Sequence, residues 1–261
     1  MKILYFTSTG NCLYVAKKLG GKLLSIPQLQ KDNTFDIADD VVGIVTPIYG
    51  FDVPRPVRQY LDKVTIRAKY VFAVMTYGDK SMAAVPLMEK LLHRRGVTLN
   101  YSTEIKMVDN YLPGYEASSQ LKMKSDAAID KVIDAVVRDI KEQKNSLLTK
   151  NVLKQFVSRC FSAIFVSDMS QKMMNSSAEK FTANDNCTAC GVCRKVCPMG
   201  NIIGNGKPEY LDKCEFCLAC IHLCPQNAIH LNGEKSAARF KNSHIELSEI
   251  IVANCQLSIK V

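Results

Sequence analysis

Over the first half of the chain, short apolar runs alternate with longer stretches that are apolar on one face only. Ile3-Leu4-Tyr5-Phe6, Val41-Val42-Gly43-Ile44-Val45 and Tyr70 to Met75 are continuous runs of strand length, the pattern of strands buried on both faces. Between them, residues 12–19 carry apolar positions at helical spacing, as do Val57, Tyr60 and Leu61 after Pro54 and the stretch 81–95. A last strand is expected over 97–109, followed by a long amphipathic helix striped by Ile129, Val132, Ile133, Val136 and Ile140. Strands alternating with helices predict an α/β fold built on a parallel sheet.

In an open parallel sheet, ligands sit beyond the carboxyl ends of the strands. Three loops leave such ends: Thr7-Ser8-Thr9-Gly10-Asn11-Cys12, Thr46-Pro47-Ile48-Tyr49-Gly50-Phe51 and Thr76-Tyr77-Gly78-Asp79. The first is small and hydroxylic and opens a helix, so backbone N–H groups and hydroxyls can take phosphate oxygens without Lys or Arg. It is neither a Walker loop nor a G-x-G-x-x-G turn. The other two set a Tyr beside a Gly, where a ring can stack on a flat ligand and the backbone can approach it. Each piece also has a plainer use: Tyr49 and Tyr77 as packing residues, Asp79 as a helix cap. Asn110 to Gly114 is either a third wall or a simple turn.

Thr7-x-Thr9-Gly10-Asn11 resembles the phosphate loop of the flavodoxins. The resemblance implies a flavodoxin-like, doubly wound, parallel five-stranded sheet over residues 1–146, with FMN as cofactor. It also implies that residues 7–12 hold the phosphate, while Pro47, Ile48, Tyr49, Gly50 and Phe51 flank one side of the isoalloxazine and Thr76, Tyr77, Gly78 and Asp79 the other. Two departures are Cys12, where flavodoxins carry Thr, and the basic charge of this chain, where flavodoxins are acidic.

The eleven cysteines change the picture. Eight form two runs, Cys187-x2-Cys190-x2-Cys193-x3-Cys197-Pro198 and Cys214-x2-Cys217-x2-Cys220-x3-Cys224-Pro225, an internal duplication that also repeats Ile202 as Ile229. Zinc ribbons pair C-x2-C groups around one ion, and two full four-Cys runs closed by Pro do not have that form. Three thiolates of a run reach three irons of one cubane and the fourth serves the other cluster. Cluster one should then take Cys187, Cys190, Cys193 and Cys224, and cluster two Cys214, Cys217, Cys220 and Cys197. Residues 183–233 resemble the bacterial two-cluster ferredoxins, which implies two [4Fe–4S] clusters, one-electron transfer and a small α+β domain. Cys160 and Cys255 read as plain apolar thiols, and His222 as a surface residue or one behind the ligands.

Residues 147–182 mix Val152, Phe156, Phe161 and Phe165 with basic residues and predict a helical bridging segment rather than a free linker. The tail, 234–261, carries Ile250-Ile251-Val252-Ala253 and is expected to dock on the body or on a second subunit, the latter giving a homodimer. The chain as a whole resembles the flavodoxin–ferredoxin fusion proteins of anaerobic bacteria.

The formal net charge is +9, yet the cysteine-rich segment 183–233 is neutral and no basic run occurs. A solvated basic surface suited to acidic redox partner proteins is expected, with no nucleic-acid partner. Met1-Lys2 runs straight into Ile3-Leu4-Tyr5-Phe6, so no secretion signal is expected; the longest uncharged stretch, Phe216 to Gly233, holds Cys, His and Pro, so no membrane insertion is expected either. Cysteine-rich and with no leader expected, the chain reads as metal-binding or redox-active and cytoplasmic. The function expected is electron transfer between two clusters, FMN and a redox partner. Alternatives are an FMN-dependent reductase of a small acceptor fed by its own clusters, and a sensing or binding module without turnover. No acid, base or nucleophile constellation stands out.

Overall fold

The computed structural model describes residues 1–81, 84–115, 126–148 and 180–255. In chain order its first half holds β1 (Lys2–Tyr5), α1 (Asn11–Leu19), β2 (Lys22–Ser25), α2 (Ile26–Lys31), β3 (Asp36–Ala38) and β4 (Val41–Pro47). It continues with α3 (Arg55–Leu61), β5 (Thr65–Arg67), β6 (Tyr70–Tyr77), α4 (Ala84–Arg94), β7 (Tyr101–Lys106) and α5 (Asp126–Lys141). The second half holds β8 (Phe181–Ala183), α6 (Val192–Lys195), β9 (Ile202–Ile203), β10 (Glu209–Tyr210), α7 (Ala219–His222), β11 (Ile229–Leu231) and α8 (Leu247–Asn254).

The main sheet has the order β2-β1-β4-β6-β7, every pair parallel. With the small β3–β5 ladder set aside, this is the 2-1-3-4-5 winding of the flavodoxin-like fold. Alternate residues of each strand feed opposite cores, because Cβ atoms alternate across a strand. Ile3 and Tyr5 pack with α1 and α5, while Leu4 and Phe6 pack with α2, α3 and α4. Gly43 on β4 makes room for its neighbour on β6: a Cβ there would lie 2.2 Å from the Phe72 ring.

In the main sheet two strands differ from the sequence reading. The edge strand β2 has no long apolar run and is half-exposed at Leu23 and Leu24, so nothing local announces it. The last strand is shorter than 97–109, because residues 107–111 leave the sheet to wall a cavity.

The cysteine-rich half pairs β8 with β11 and β9 with β10, both antiparallel, around two one-turn helices. It shares a core with the sheet domain. Val196, Ala219 and Leu223 pack in the same buried cluster as α1 and α5, and so do Ile245, Ile250 and Ala253 of the tail. The tail is also tied to the body by polar contacts. Gln28 Nε2 donates to the Cys255 carbonyl at 2.8 Å, and the Asn242 N–H to the Thr9 carbonyl at 2.9 Å. Apart from its two ends, the bridging segment expected over 147–182 lies outside the described residues, as does Cys160. Among the described residues no helix is long and apolar enough to cross a membrane.

Ile250 is fully buried while Val252, on the same helix, is 73% exposed. Ile250→Ala should therefore cost about 2–5 kcal/mol of unfolding free energy in urea titrations. Val252→Ala should change it by less than about 0.5 kcal/mol.

Candidate functional site

A cavity of about 940 Å³ opens at the carboxyl ends of β1, β4 and β6. Residues 7–9, 11–12, 47–51 and 76–79 all line it. Gly10 stands behind the wall: its left-handed φ of +102° turns the chain into α1, and a Cβ there would press on Asn242 of the tail at 3.0 Å.

The first loop contains no cation. Ser8 Oγ accepts from Tyr49 Oη at 2.9 Å and Asn110 Nδ2 at 3.2 Å, and Thr9 Oγ1 accepts from Asn110 Nδ2 at 3.0 Å. Held as acceptors, both hydroxyls keep their own protons to offer to an anion. Thr7 Oγ1 is buried and makes no hydrogen bond among the described residues. An orphaned buried hydroxyl beside the first N–H groups of a helix suits a phosphate oxygen.

Two neighbours do other work. Asn11 donates from Nδ2 to the Val108 carbonyl and accepts from Asn242 Nδ2, so its amide braces the loop. The Cys12 thiol lies 3.1 Å from Thr76 Oγ1, and burial pushes its pKa up to about 12. It serves as a neutral tie between α1 and β6.

Tyr49 and Asp52 exchange backbone hydrogen bonds across Gly50 and Phe51, whose φ values are +55° and +70°. Positive φ at both central residues defines a type I′ turn. Phe51 is bulky for that region, a strain of the kind that gathers at binding sites and here sets its ring on the cavity. Across from it, a Cβ on Gly78 would lie 2.1 Å from the Asp109 carboxylate, so only Gly lets residues 107–111 close in. Asn110 and Tyr111 thus line the cavity, and the turn follows at 112–114. Asp79, a cap in the plainer reading, hydrogen-bonds Tyr115, whose hydroxyl burial chiefly pushes up to about 12.

A further wall had no local signal in the sequence. Glu215, Phe216, Cys217 and Leu218 of the second cysteine run face the same cavity. Arg55 fastens them. Its backbone N–H donates to Glu215 Oε1 at 2.6 Å and its guanidinium to the Lys213 and Cys214 carbonyls at 3.1 and 3.2 Å. Its Nε lies 3.3 Å from Glu215 Oε2 without hydrogen-bond geometry. Burial lifts the Glu215 carboxyl to about 7 against the pull of Arg55. His222 is buried rather than at the surface. Its Nε2 lies 2.7 Å from the Asn110 carbonyl and its Nδ1 accepts from the Phe240 N–H, which sets the proton on Nε2. Burial lowers its pKa to about 4.

The two cysteine runs repeat in backbone as well as in spacing. Left-handed residues recur in step: Ala189 with Phe216, Gly191 with Leu218, Gly200 with Asn227. Such positions turn successive N–H groups inward to form the concave nests that hold anions and iron–sulfur groups. The Asn201 N–H donates to Cys197 Sγ and the Ala228 N–H to Cys224 Sγ, both at 3.3 Å, again in step. Cys187, Cys190, Cys193 and Cys224 line one small hollow without Cys197. Cys197, Cys214 and Cys217 neighbour Cys220, and Cys193 lies near it too. Burial raises the Cys197, Cys217 and Cys220 thiols above their usual range, and the neighbouring sulfurs add to it. Buried thiols of this kind ionise only beside compensating positive charge, which a metal group can supply. Among the described residues no three metal-ligating side chains converge on a single-ion site. A cubane does not require it, since each thiolate meets a different iron.

Residues 210–230, which contain the second cysteine run, match a family model described as a 4Fe-4S binding domain. None of the curated proteins matches the chain. Among solved structures it is similar to the two-electron reduced flavodoxin of Megasphaera elsdenii, at 14% identity over 40% of this chain and 83% of that one, TM-score 0.32. It is similar to a flavoprotein in complex with FMN from Lactobacillus acidophilus NCFM, at 16% identity over 40% and 91%, TM-score 0.30. A third is rubredoxin oxygen:oxidoreductase from the anaerobe Desulfovibrio gigas, at 12% identity over 54% and 36%, TM-score 0.33. At these identities and scores the likenesses carry nothing about ligand or activity. The chain is thus one with a segment similar to 4Fe-4S binding domains beside a parallel sheet of flavodoxin-like winding.

Proposed function

We propose that this chain is an electron-transfer flavo-iron–sulfur protein carrying two [4Fe–4S] clusters and one FMN. The observation that carries the reading is the shared wall: the loop Glu215–Leu218, with Cys217 in it, closes the cavity lined by the hydroxylic loop and Tyr49. Cluster one is assigned to Cys187, Cys190, Cys193 and Cys224, and cluster two to Cys214, Cys217, Cys220 and Cys197. The phosphate is assigned to residues 7–12 and the flat ring to the space between loops 47–51 and 76–79. The clusters supply one-electron chemistry and FMN supplies one- or two-electron chemistry.

The chain's own residues do three things. Thr7, Ser8, Thr9 and the α1 N–H groups neutralise a phosphate by hydrogen bonds alone. Phe51, Tyr49 and Tyr111 give the cavity apolar walls that exclude water. Arg55, Glu215 and His222 hold the second cysteine run at the cavity. The basic surface suits acidic redox partners, with attraction that weakens as salt rises. Chemistry of this kind belongs in a reducing compartment such as the cytoplasm.

One observation favours a second reading, a reductase of a small acceptor. The cavity is near the top of the range of about 300–1,000 Å³ for small-ligand sites, and it extends to Leu87 and Lys90 on α4 beyond the three loops. Anaerobic turnover with small acceptors, against exchange with protein partners alone, separates the two.

Protein purified anaerobically should release about eight irons, eight sulfides and one FMN per chain. Eight irons with no flavin taken up on reconstitution would remove the flavin half of the reading. Thr7→Val deletes the orphaned hydroxyl. It should leave the melting point of flavin-free protein unchanged or higher, yet raise the FMN dissociation constant roughly tenfold in fluorescence titrations. Tyr49→Phe, which removes one hydrogen bond of about 0.5–1.5 kcal/mol to Ser8, should weaken FMN roughly 3–10-fold.

A further inference from the structure

Asn254 ends α8 with none of its surface exposed, among Val196, Ile250 and Ala253 of the shared core. Its Nδ2 donates to the Thr7 carbonyl at 2.9 Å and to the Val196 carbonyl at 3.3 Å. Thr7 opens the hydroxylic loop. Val196 directly precedes Cys197, the thiol of the first run assigned to cluster two. The two protons of one amide nitrogen thus join the two loops. The helix bearing this amide is itself fixed at both ends. Glu246 and Glu249 form a capping box at its start, and Ser25 Oγ bonds the Ala253 carbonyl at its end. Asn254 Oδ1 has no partner among the described residues, nor has Thr7 Oγ1. An amide here only to fill space would be an unfavourable choice, since a buried polar group is tolerated for the bonds it makes.

We propose that Asn254 is a positioning residue that couples the FMN site to the cluster-two site. The inference rests on the reading above. Ordering Val196–Cys197 around a cluster fixes the amide, and the amide then fixes the Thr7 carbonyl. The hydroxyls and N–H groups of the phosphate loop are thereby pre-set. Each group should bind more tightly when the other is in place, by the same factor in both directions. A second connection runs from His222 through the Asn110 carbonyl, while Asn110 Nδ2 holds Ser8 and Thr9, so loss of Asn254 weakens the coupling without abolishing it.

The test measures FMN dissociation constants by flavin fluorescence on the full chain, with clusters intact and after removal by a chelator. In the wild type the cluster-loaded form should bind FMN at least fivefold more tightly. Asn254→Leu, which keeps the volume and loses both donors, should cut that ratio to less than half. A merely structural role would weaken FMN equally in both forms and leave the ratio unchanged, which would overturn the proposal. So would a wild-type ratio of one. A wild type that takes up no FMN in either form would instead overturn the flavin reading on which the proposal stands. Should Asn254→Leu fail to fold, hydrogen exchange on the wild type decides. Removing the clusters should speed exchange at the amides of residues 8–12, and FMN should slow exchange of the Asn201 N–H that bonds Cys197 Sγ. If neither changes, the proposal falls.

Discussion

Where α6, α7 and α8 settle on α1, the two halves of the chain bury apolar surface in one core rather than two. Val196 and Leu223 from the cysteine-rich half meet Ile250 and Ala253 from the tail and Leu13 and Ala16 from α1. Close-packed interiors resist deformation, so this contact sets where the cysteine loops stand relative to the carboxyl ends of the sheet. Everything proposed for the site depends on it. Without the shared core, Glu215 to Leu218 would not close the cavity, and Asn254 would not reach both Thr7 and Val196.

Both sites face the same electrostatic problem and solve it in the same way. The phosphate and the thiolate-bound cluster proposed above would each bring negative charge next to apolar walls. The device the two share is not a side-chain cation: Arg194 lines the hollow of Cys187, Cys190, Cys193 and Cys224, but residues 7–12 carry none. Instead the backbone is bent so that N–H groups face the charge, at the start of α1 after left-handed Gly10 and in the cysteine loops after left-handed Ala189 and Phe216. Fixed dipoles stay where the fold puts them. Arg55, at the cavity wall, is matched to buried Glu215 and to carbonyls of the cluster loop, so it positions that loop without adding free charge.

The sequence by itself determined what is local. Apolar runs of strand length mark β1, β4 and β6, because burial on both faces leaves no polar positions in them. Helical spacing marks α1, α3, α4 and α5, and the loops after the three strands supply three walls of the cavity. The duplicated cysteine spacing carries over into duplicated left-handed turns, since ligand geometry is written within a dozen residues. Only the tertiary structure decided the rest: the edge strand β2, the cavity wall at Glu215–Leu218, the buried place of His222, and the reach of Asn254 to both Thr7 and Val196, far apart in the chain. Periodicity reports which face of an element is buried. It does not report which distant element covers that face, so contacts between residues far apart in the chain leave no local trace.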